Sequence, residues 1–222
     1  MSQQLSLWNA ASPLEPTLAV PGCLRVEKLN LLDSDITFYA NALPQLQADR
    51  WFQQLLVEVD WQQQYITRYR KSLPLPRLTA WYGDPGKTYT YSGIQMTSMP
   101  WTNTLLVIKS QVEALVEGQF NSVLLNLYRH GQDSVAWHSD DEPEMGDQPT
   151  IASVSLGGTR RFSLRHREQT HLCQHLDLTH GSVLLMKGST QQCWQHQVPK
   201  TSKPVLSRIN LTFREILDVG YS

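Results

Sequence analysis

The sequence predicts a mainly β fold that carries helices in its N-terminal part, an α+β arrangement. After Phe120, short β-branched runs alternate with turn residues, a pattern typical of a sandwich or barrel such as a jelly roll. Before Phe120, apolar residues recur at helical spacing, and no linker, repeat or low-complexity tract divides the 222 residues. We therefore expect a single domain over 1–222, with a helical N-terminal extension over 1–118 and a β core over 119–216.

The N-terminal extension is predicted to mix helices with short strands. A short strand is expected over 35–39, and apolar residues at helical spacing predict a helix over 46–59. The alternating, Tyr- and Thr-rich stretch 87–91 suits a strand or an ordered loop. A second helix is expected over 104–117, with Asn103 as its N-cap.

The C-terminal part is predicted to consist of short strands. Glycine and proline residues punctuate the β-branched runs and mark the turns between them. The strands are expected over 123–128, 151–156, 161–164, 175–178, 182–186, 194–198 and 205–214. Strands of this length and spacing pair into the sheets of the proposed jelly roll.

The charges nearly cancel overall but are segregated along the chain. The formal net charge is −1, which argues against a protein that binds polyanions through bulk charge. Acidic residues cluster between Asp133 and Asp147, while basic residues cluster around 68–77 and 160–167. One interpretation is an acidic cation site flanked by basic walls that contact phosphates, and the other is ordinary surface scatter. The first interpretation predicts weak, salt-sensitive binding to nucleic acid.

The cysteines and the hydropathy pattern indicate a soluble, intracellular protein. Three widely spaced cysteines without a CxxC motif form neither a disulfide framework nor a Cys-rich zinc site. No signal peptide and no apolar run of membrane-spanning length is apparent. We expect a cytoplasmic or, in a eukaryote, nuclear protein that is a monomer without membrane contact.

A candidate metal site begins at the segment Trp137-His138-Ser139-Asp140. Side chains at i and i+2 of an extended strand share one face, so the imidazole of His138 and the carboxylate of Asp140 converge. With His196 from another predicted strand they would form the two-histidine, one-carboxylate triad of non-haem Fe(II) oxygenases. The other histidines are rival third ligands, namely His130, His166, His171, His175 and His180.

A row of polar residues on the last predicted strand is a candidate anion site. Its period of two puts four polar side chains on one face, namely Arg208, Asn210, Thr212 and Arg214. Arginine binds carboxylates through its bidentate fork, and a charged row inside a barrel requires an anionic guest. Asn126 and Tyr128 offer an amide and a phenol on a second strand. An exposed polar strand face is the alternative.

Together these motifs resemble the AlkB family of Fe(II)/2-oxoglutarate dioxygenases. The resemblance runs roughly from 76 to 216 and rests on these motifs: Pro76-Arg77, Tyr82-Gly83-Asp84, Asn126-Leu127-Tyr128, His138-Ser139-Asp140-Asp141-Glu142, His196 and Arg208-Ile209-Asn210-Leu211-Thr212-Phe213-Arg214. The combination is highly specific and is most similar to the branch that repairs alkylated DNA bases. The first 70 residues match only loosely.

The resemblance implies a double-stranded β-helix core, with a nucleotide-recognition lid made from the N-terminal part. It implies Fe(II), 2-oxoglutarate and O2 as cofactor and cosubstrates, with His138, Asp140 and His196 as the iron ligands. Arg208 would pair with the distal carboxylate of 2-oxoglutarate, and Arg214 would lie near its metal-chelating end. The assisting residues would be Asn126, Tyr128, Asn210 and Thr212.

The resemblance also implies a set of residues that contact the nucleic acid. Tyr91 would pack on a flipped base opposite His138, and Glu142 would read the exocyclic amine of a cationic lesion. The other expected contacts are Tyr89 with the backbone or base edge, Arg77 and Arg161 with phosphates, and Tyr69 or Ile66 as an apolar wedge. The wedge segment departs from the family pattern, which leaves the preference for single- or double-stranded DNA open.

The expected activity is the oxidative demethylation of N-alkylated bases in DNA, such as 1-methyladenine and 3-methylcytosine. It would couple the decarboxylation of 2-oxoglutarate to hydroxylation of the alkyl group and to formaldehyde release. One alternative is the same chemistry on RNA, a protein side chain or a small molecule. Another is a non-catalytic nucleic-acid-binding jelly roll, against which the complete triad and arginine row argue.

Overall fold

The computed structural model describes residues 23–68, 71–86, 88–91 and 94–217 of the chain. The helices are α1 (Gln45–Glu58), α2 (Asn103–Val116) and α3 (Thr190–Cys193), and a short 3-10 turn covers Pro143–Met145. The strands are β1 (Arg25–Leu29), β2 (Asp35–Ala40), β3 (Tyr65–Arg68), β4 (Lys71–Pro74), β5 (Leu78–Gly83), β6 (Thr88–Tyr91), β7 (Ile94–Thr97), β8 (Ser122–Tyr128), β9 (Val135–His138), β10 (Ile151–Gly157), β11 (Arg160–His166), β12 (Cys173–Leu178), β13 (Ser182–Lys187), β14 (Trp194–Val198) and β15 (Arg208–Arg214).

Two antiparallel sheets form the core of the fold. The larger sheet has seven strands in the order β1-β2-β13-β10-β15-β8-β5, and the smaller has four in the order β12-β11-β14-β9. Most neighbours in each sheet are distant in sequence, as crossing connections between two facing sheets require. Two separate hairpins, β3–β4 and β6–β7, complete the strands of the described residues. The predicted mainly β class with a jelly-roll core is confirmed.

One hydrophobic core lies between the helices and the larger sheet. β15 turns Ile209, Leu211 and Phe213 toward this core, where they join Leu55 of α1 and Ile108 of α2. All five side chains are fully buried, and each contributes about 1.5–3 kcal/mol of hydrophobic stabilisation. The opposite face of β15 is thereby directed at the smaller sheet.

A second hydrophobic core fills the space between the two sheets. Phe162 and Leu164 of β11 and Trp194 of β14 meet Ile151 and Leu184 of the larger sheet. The indole N–H of Trp194 donates to the carbonyl of Leu32 at 2.7 Å, which satisfies its polar atom. Beside this core, residues of β8, β9, β10, β14 and β15 line a cavity that contains polar side chains.

The helices and the C-terminal strands lie where the sequence predicted them, with small corrections. The helix predicted over 46–59 is α1, displaced by one residue at each end. α2 begins at Asn103, but its N-cap is Thr102, whose Oγ1 accepts the N–H of Leu105 at 3.2 Å. The cap assignment to Asn103 was therefore wrong by one residue. The last strand begins at Arg208 instead of residue 205.

The N-terminal part contributes more strands than the sequence indicated. β1, β2 and β5 all belong to the seven-stranded sheet, with β1 and β5 at its two edges. β1 carries four exposed residues in a row and has no alternating pattern, whereas β5 is nearly all buried. Within the described residues, no helix is long and apolar enough to span a bilayer.

Candidate active site

The predicted triad comes together at the open edge of the smaller sheet. β9 and β14 are neighbours, and His138 pairs directly with His196 in their register. The carboxylate of Asp140 lies 3.9 Å from His138 Nε2 and 4.0 Å from His196 Nε2. The candidate ligand atoms of the three residues all lie within 4.8 Å of one another. This arrangement provides two imidazole nitrogens and one carboxylate for a single cation.

Asp140 reaches this position by a route that differs from the prediction. β9 ends at His138, so Asp140 lies in the loop that follows instead of two residues along the same strand. The loop is held by α3 and β14: the Asp140 N–H donates to Oε1 of Gln191 at 2.9 Å, and the Ser139 hydroxyl donates to the Trp194 carbonyl at 2.9 Å. These bonds replace the strand as the support of the carboxylate.

The protonation states of the triad suit a cation. Burial alone would raise the pKa of Asp140, but the positive charge of Arg214, with smaller contributions from the neighbouring His196 and His138, outweighs it and lowers the pKa to about 2. Arg214 Nη2 also donates to Asp140 Oδ1 at 2.8 Å. Burial lowers the pKa of His196 to about 3 and also lowers that of His138. Near neutral pH the carboxylate is therefore ionised and both imidazoles are neutral.

His138 is also oriented for metal binding through its second ring nitrogen. Its Nδ1 lies 2.8 Å from the carbonyl of Ala136, two residues earlier. A carbonyl can only accept, so Nδ1 carries the proton and the lone pair of Nε2 points toward Asp140. Such a bond to the remote nitrogen fixes the tautomer and the ring orientation of metal-binding histidines.

The polar face of β15 lines a cavity that the triad shares. The register with β8 and β10 places Asn210 beside Asn126 and Ser155, and each of these three residues is buried. The polar residues lining the cavity include Asn126, Tyr128, Ser153, Asn210, Thr212 and Arg214. The alternative of an exposed polar strand face is wrong for these described residues. A buried polar row next to a triad fits a polar guest.

Arg208 is the strongest indication of an anionic ligand. Its side chain is completely buried, and its Nη2 donates to Ser155 Oγ at 2.9 Å. Its Nε and Nη1 have no hydrogen-bond partner among the described residues. Burial lowers the pKa of Arg208 to about 10, although the Tyr128 side chain partly offsets this effect. A buried guanidinium with two free donors is matched by a carboxylate, which accepts both.

The predicted nucleic-acid contacts divide into three groups. Tyr69 and the side chains of Tyr89 and Tyr91 lie outside the described residues, although β6 carries the last two. Arg161 is exposed on β11, where its Nε is 3.9 Å from Asp177, so it can still reach a phosphate. Glu142 is half-buried and directly precedes the 3-10 turn. None of these placements tests a substrate role.

Arg77, which was predicted to contact a phosphate, is buried in the structure. Only 3% of it is exposed, because its guanidinium turns inward. Its Nε donates to Asn126 Oδ1 at 2.8 Å and its Nη1 to the Ser134 carbonyl at 3.2 Å. Arg77 therefore orients the Asn126 amide toward the polar cavity and ties β5 to the loop before β9.

A cavity of about 620 Å³ opens beside the triad. It runs along β9, the edge strand of the smaller sheet, and His138 forms part of its wall. Ile66 and the segment 75–77 face β9 across this space, and Lys200 lies at its rim. A planar group of nucleobase size can therefore approach the triad from the side of the β3–β4 hairpin.

The rival histidines are excluded by their positions. Among the described residues, only one other cluster could hold a metal, formed by Asp33, His166 and Cys193. The Nδ1 of His166 accepts backbone N–H groups from Glu168 and Gln169. The proton of the neutral ring must then sit on Nε2, the atom that faces Asp33 at 3.5 Å. That nitrogen has no lone pair for a metal.

The structure adds residues to the site that the sequence did not indicate. Gln191 and Ser139 support the loop that carries Asp140. Arg167 Nη2 in turn donates to Ser139 Oγ at 2.8 Å and to the Asp141 carboxylate. Gln191 is 51 positions away from Asp140 in sequence. No spacing or periodicity connects such residues, so only the fold could reveal them.

Three of the six acids in the acidic block of the sequence pair with arginines in the structure. Asp133 pairs with Arg129 at 2.8 Å, and Asp140 pairs with Arg214 at 2.8 Å. Asp141 pairs with Arg167. An arginine of β15 and the arginines that directly follow β8 and β11 therefore neutralise half of the acids in this block.

Comparisons with known proteins agree with this site. A family model described as the 2OG-Fe(II) oxygenase superfamily matches residues 35–214. "Alpha-ketoglutarate-dependent dioxygenase alkB homolog 3" of Bos taurus is 45% identical over 179 residues, covering 77% of this chain and 62% of that protein. "DNA oxidative demethylase ALKBH2" of Bos taurus is 40% identical over 207 residues, covering 88% of this chain and 72% of that protein.

The lengths and folds of the relatives complete the comparison. This chain spans less than two thirds of the alkB homolog 3 proteins it matches, 62% in Bos taurus and 66% in Homo sapiens. The solved structure titled "The structure of OsALKBH1" superposes with a TM-score of 0.58 at 20% identity, covering 87% of this chain and all of that one. That likeness supports the fold. The matched family model and the relatives show that the chain belongs to the AlkB family of Fe(II)/2-oxoglutarate dioxygenases.

Proposed function

We propose that this chain removes alkyl groups oxidatively from N-alkylated bases in DNA, such as 1-methyladenine and 3-methylcytosine, with Fe(II), 2-oxoglutarate and O2. The observation that carries the proposal is the cluster of half-buried His138 with buried Asp140 and His196, which lies beside the polar row of β15. The relatives named "DNA oxidative demethylase" support DNA as the substrate.

The chemistry of the donor set fits Fe(II). Two neutral imidazoles and one ionised carboxylate leave part of the coordination sphere open for other ligands. When bound, iron and 2-oxoglutarate together with O2 supply the oxidation of a C–H bond in the alkyl group. Arg214 keeps Asp140 ionised, and the Ala136 carbonyl keeps the Nε2 lone pair of His138 available. A hydroxylated N-methyl group then breaks down to formaldehyde and the repaired base.

The orphaned donors of Arg208 fit 2-oxoglutarate. Nε and Nη1 of Arg208 would bind its distal carboxylate, while Ser155 holds the third nitrogen. Arg214 would lie near the metal-chelating end. The amide, phenol and hydroxyl groups that would assist belong to Asn126, Tyr128, Asn210 and Thr212. Apolar neighbours such as Phe162 and Val198 line the same cavity and would exclude water from this end.

The lesion would reach the site through the cavity along β9. An alkyl group on a Watson–Crick edge is inaccessible inside a duplex, so the base must leave the stack. A cationic lesion pairs poorly, which lowers the cost of extruding it. In this proposal the flipped base packs between His138 and Tyr91, and Glu142 reads its exocyclic amine. Tyr89, Arg161 and, as a wedge, Tyr69 would contact the surrounding strand.

The proposed enzyme is complete in a single chain. Every triad and 2-oxoglutarate residue named above comes from the same polypeptide, which supports action as a monomer. A DNA substrate implies an intracellular site of action. The preference for single- or double-stranded DNA depends on the wedge residue.

The test is formaldehyde release and mass loss from an oligonucleotide that contains 3-methylcytosine, incubated with Fe(II) and 2-oxoglutarate. We expect release from DNA, at different rates from single- and double-stranded forms. Turnover of the matched RNA but not of DNA would reject the DNA proposal and keep the chemistry. Tyr69→Ala should change the ratio of the two DNA rates, and an unchanged ratio would remove the wedge.

A further inference from the structure

We propose that the outer half of the cavity along β9 binds the nucleotide next to the lesion, with its base stacked on Trp137 and its phosphate at Lys200. This inference rests on the proposed function, because it assumes a nucleic-acid strand as the substrate. It assigns a second nucleotide subsite, separate from the one at His138, and thereby a preference for a lesion flanked by intact bases.

The cavity runs along the edge strand past both Trp137 and His138. Successive side chains of a strand point to opposite faces, and both Trp137 and His138 line the cavity. His138 faces inward to the triad, so Trp137 faces the outer side of the smaller sheet. A single base that lies against His138 therefore cannot also stack on Trp137. The space beside Trp137 is therefore a second position, separate from that of the flipped base.

The Trp137 ring is held as a rigid platform. The guanidinium of Arg165 lies 4.3 Å from the ring centroid. Arg165 is itself fixed, because its Nε and Nη2 donate to Gln195 Oε1 at 3.0 and 2.8 Å. A ring that is ordered before binding loses little conformational entropy when a base stacks on it.

Trp137 does not serve the hydrophobic cores of the described residues. It is half-buried on a four-residue strand and belongs to none of the three apolar clusters. A large aromatic side chain that is locked by an arginine and open to a cavity is typical of sites that stack nucleobases. Stacking of this kind tolerates any base, which suits a repair site that must accept every neighbouring sequence.

Lys200 supplies the charge that a neighbouring nucleotide requires. It lies two residues after the end of β14, is exposed, and lines the same cavity. It forms no ion pair with any residue of the described ranges. Gln197, on the outer face of β14, lies in the same wall and offers an amide to the sugar or base edge. The outer half thus contains an aromatic face, an amide and a cation, which together match one nucleotide.

The experiment compares two 3-methylcytosine oligonucleotides, one with intact neighbours and one in which the bases beside the lesion are replaced by abasic sites. The full chain and its Trp137→Leu and Trp137→Phe variants are assayed for kcat/KM, and binding is measured in parallel. Stacking on an aromatic ring contributes about five- to 150-fold in affinity. We expect Trp137→Leu to lower kcat/KM about tenfold on intact neighbours and far less on abasic neighbours, while Trp137→Phe restores most of it.

An equal loss on both substrates would show that Trp137 only supports His138, and this result would overturn the subsite. A chain that binds both oligonucleotides but releases no formaldehyde would contradict the proposed function, while the difference in binding would still decide the subsite. For the phosphate, Lys200→Ala should reduce the slope of log affinity against log salt by about one relative to the surface control Lys28→Ala. Identical slopes would remove Lys200 from the proposal.

Discussion

Two buried arginines, one on each of the two sheets, differ in which groups accept their hydrogen bonds, and this difference predicts opposite effects of the same substitution. Arg160 is 3% exposed, and its Nη2 donates to the carbonyls of Asp133 and Pro199 at 2.8 and 2.7 Å. Arg208 is fully buried and its Nη2 donates to Ser155, but its Nε and Nη1 have no hydrogen-bond partner among the described residues. The protein itself thus provides hydrogen-bond acceptors for Arg160, whereas two donors of Arg208 remain available for an anionic ligand.

The magnitude follows from the shift in pKa. Burial lowers the pKa of Arg208 from 12.5 to about 10, and each unit corresponds to about 1.4 kcal/mol. Keeping this charge in the ligand-free fold therefore costs about 3 kcal/mol. Arg208→Met removes the charge at similar volume and should raise the free energy of unfolding, by up to that amount. Arg160→Met loses hydrogen bonds worth about 1.5–3 kcal/mol each and should lower it.

The assay is thermal unfolding with Mn(II), in the presence and absence of 2-oxoglutarate. A ligand at 100 times its Kd stabilises the fold by about 2.7 kcal/mol, or about 5–10 °C for a domain of this size. Arg208→Met should lose this shift, and Arg160→Met should keep it. The reasoning is refuted if Arg208→Met unfolds at a lower temperature than the parent and still responds to 2-oxoglutarate.

Further predictions concern the triad and the core. The pKa of His196 is 6.5 in the unfolded chain and about 3 in the folded one. Between pH 6.5 and pH 3, therefore, only the unfolded chain binds this proton. The iron-free protein should therefore lose about 2 kcal/mol of stability as the pH falls from 7.5 to 5. Urea unfolding at several pH values measures this loss, and the loss should be much smaller in His196→Asn. Gln191→Ala should weaken Mn(II) binding about 10- to 100-fold by releasing the Asp140 loop, whereas Gln191→Glu retains a hydrogen-bond acceptor and should bind more tightly than Gln191→Ala. Equal Mn(II) affinities of the parent and both variants would show that Gln191 does not support Asp140. Leu211→Ala in the fully buried core should cost about 2–5 kcal/mol in urea unfolding, and a loss below 1 kcal/mol would contradict the packing.

The strongest sequence predictions were those with a local period. β15 shows this clearly, since alternation alone separates the polar row from Ile209, Leu211 and Phe213. In the structure both faces are buried, the apolar one in the hydrophobic core and the polar one toward the cavity. The amphipathic helix α1 was likewise predictable from apolar spacing. In each case neighbours along the chain are also neighbours on one face of the element.

Features that depend on distant pairing were beyond the sequence. β1 joins the main sheet although most of its side chains are exposed, because backbone pairing with β2 holds it there. Asp140 lies outside β9 and is held by Gln191 across 51 positions. Arg77 turned inward because Asn126 and the Ser134 carbonyl offered acceptors. No residue pattern near these positions encodes their partners.

The most direct test of the central claim is the stoichiometry of turnover on a 3-methylcytosine oligonucleotide with Fe(II) and 2-oxoglutarate. The triad and the arginine row predict one formaldehyde and one succinate for each base repaired, and loss of both products in Asp140→Ala. Repair that proceeds in Asp140→Ala, or formaldehyde released without succinate, would contradict the assignment of this site.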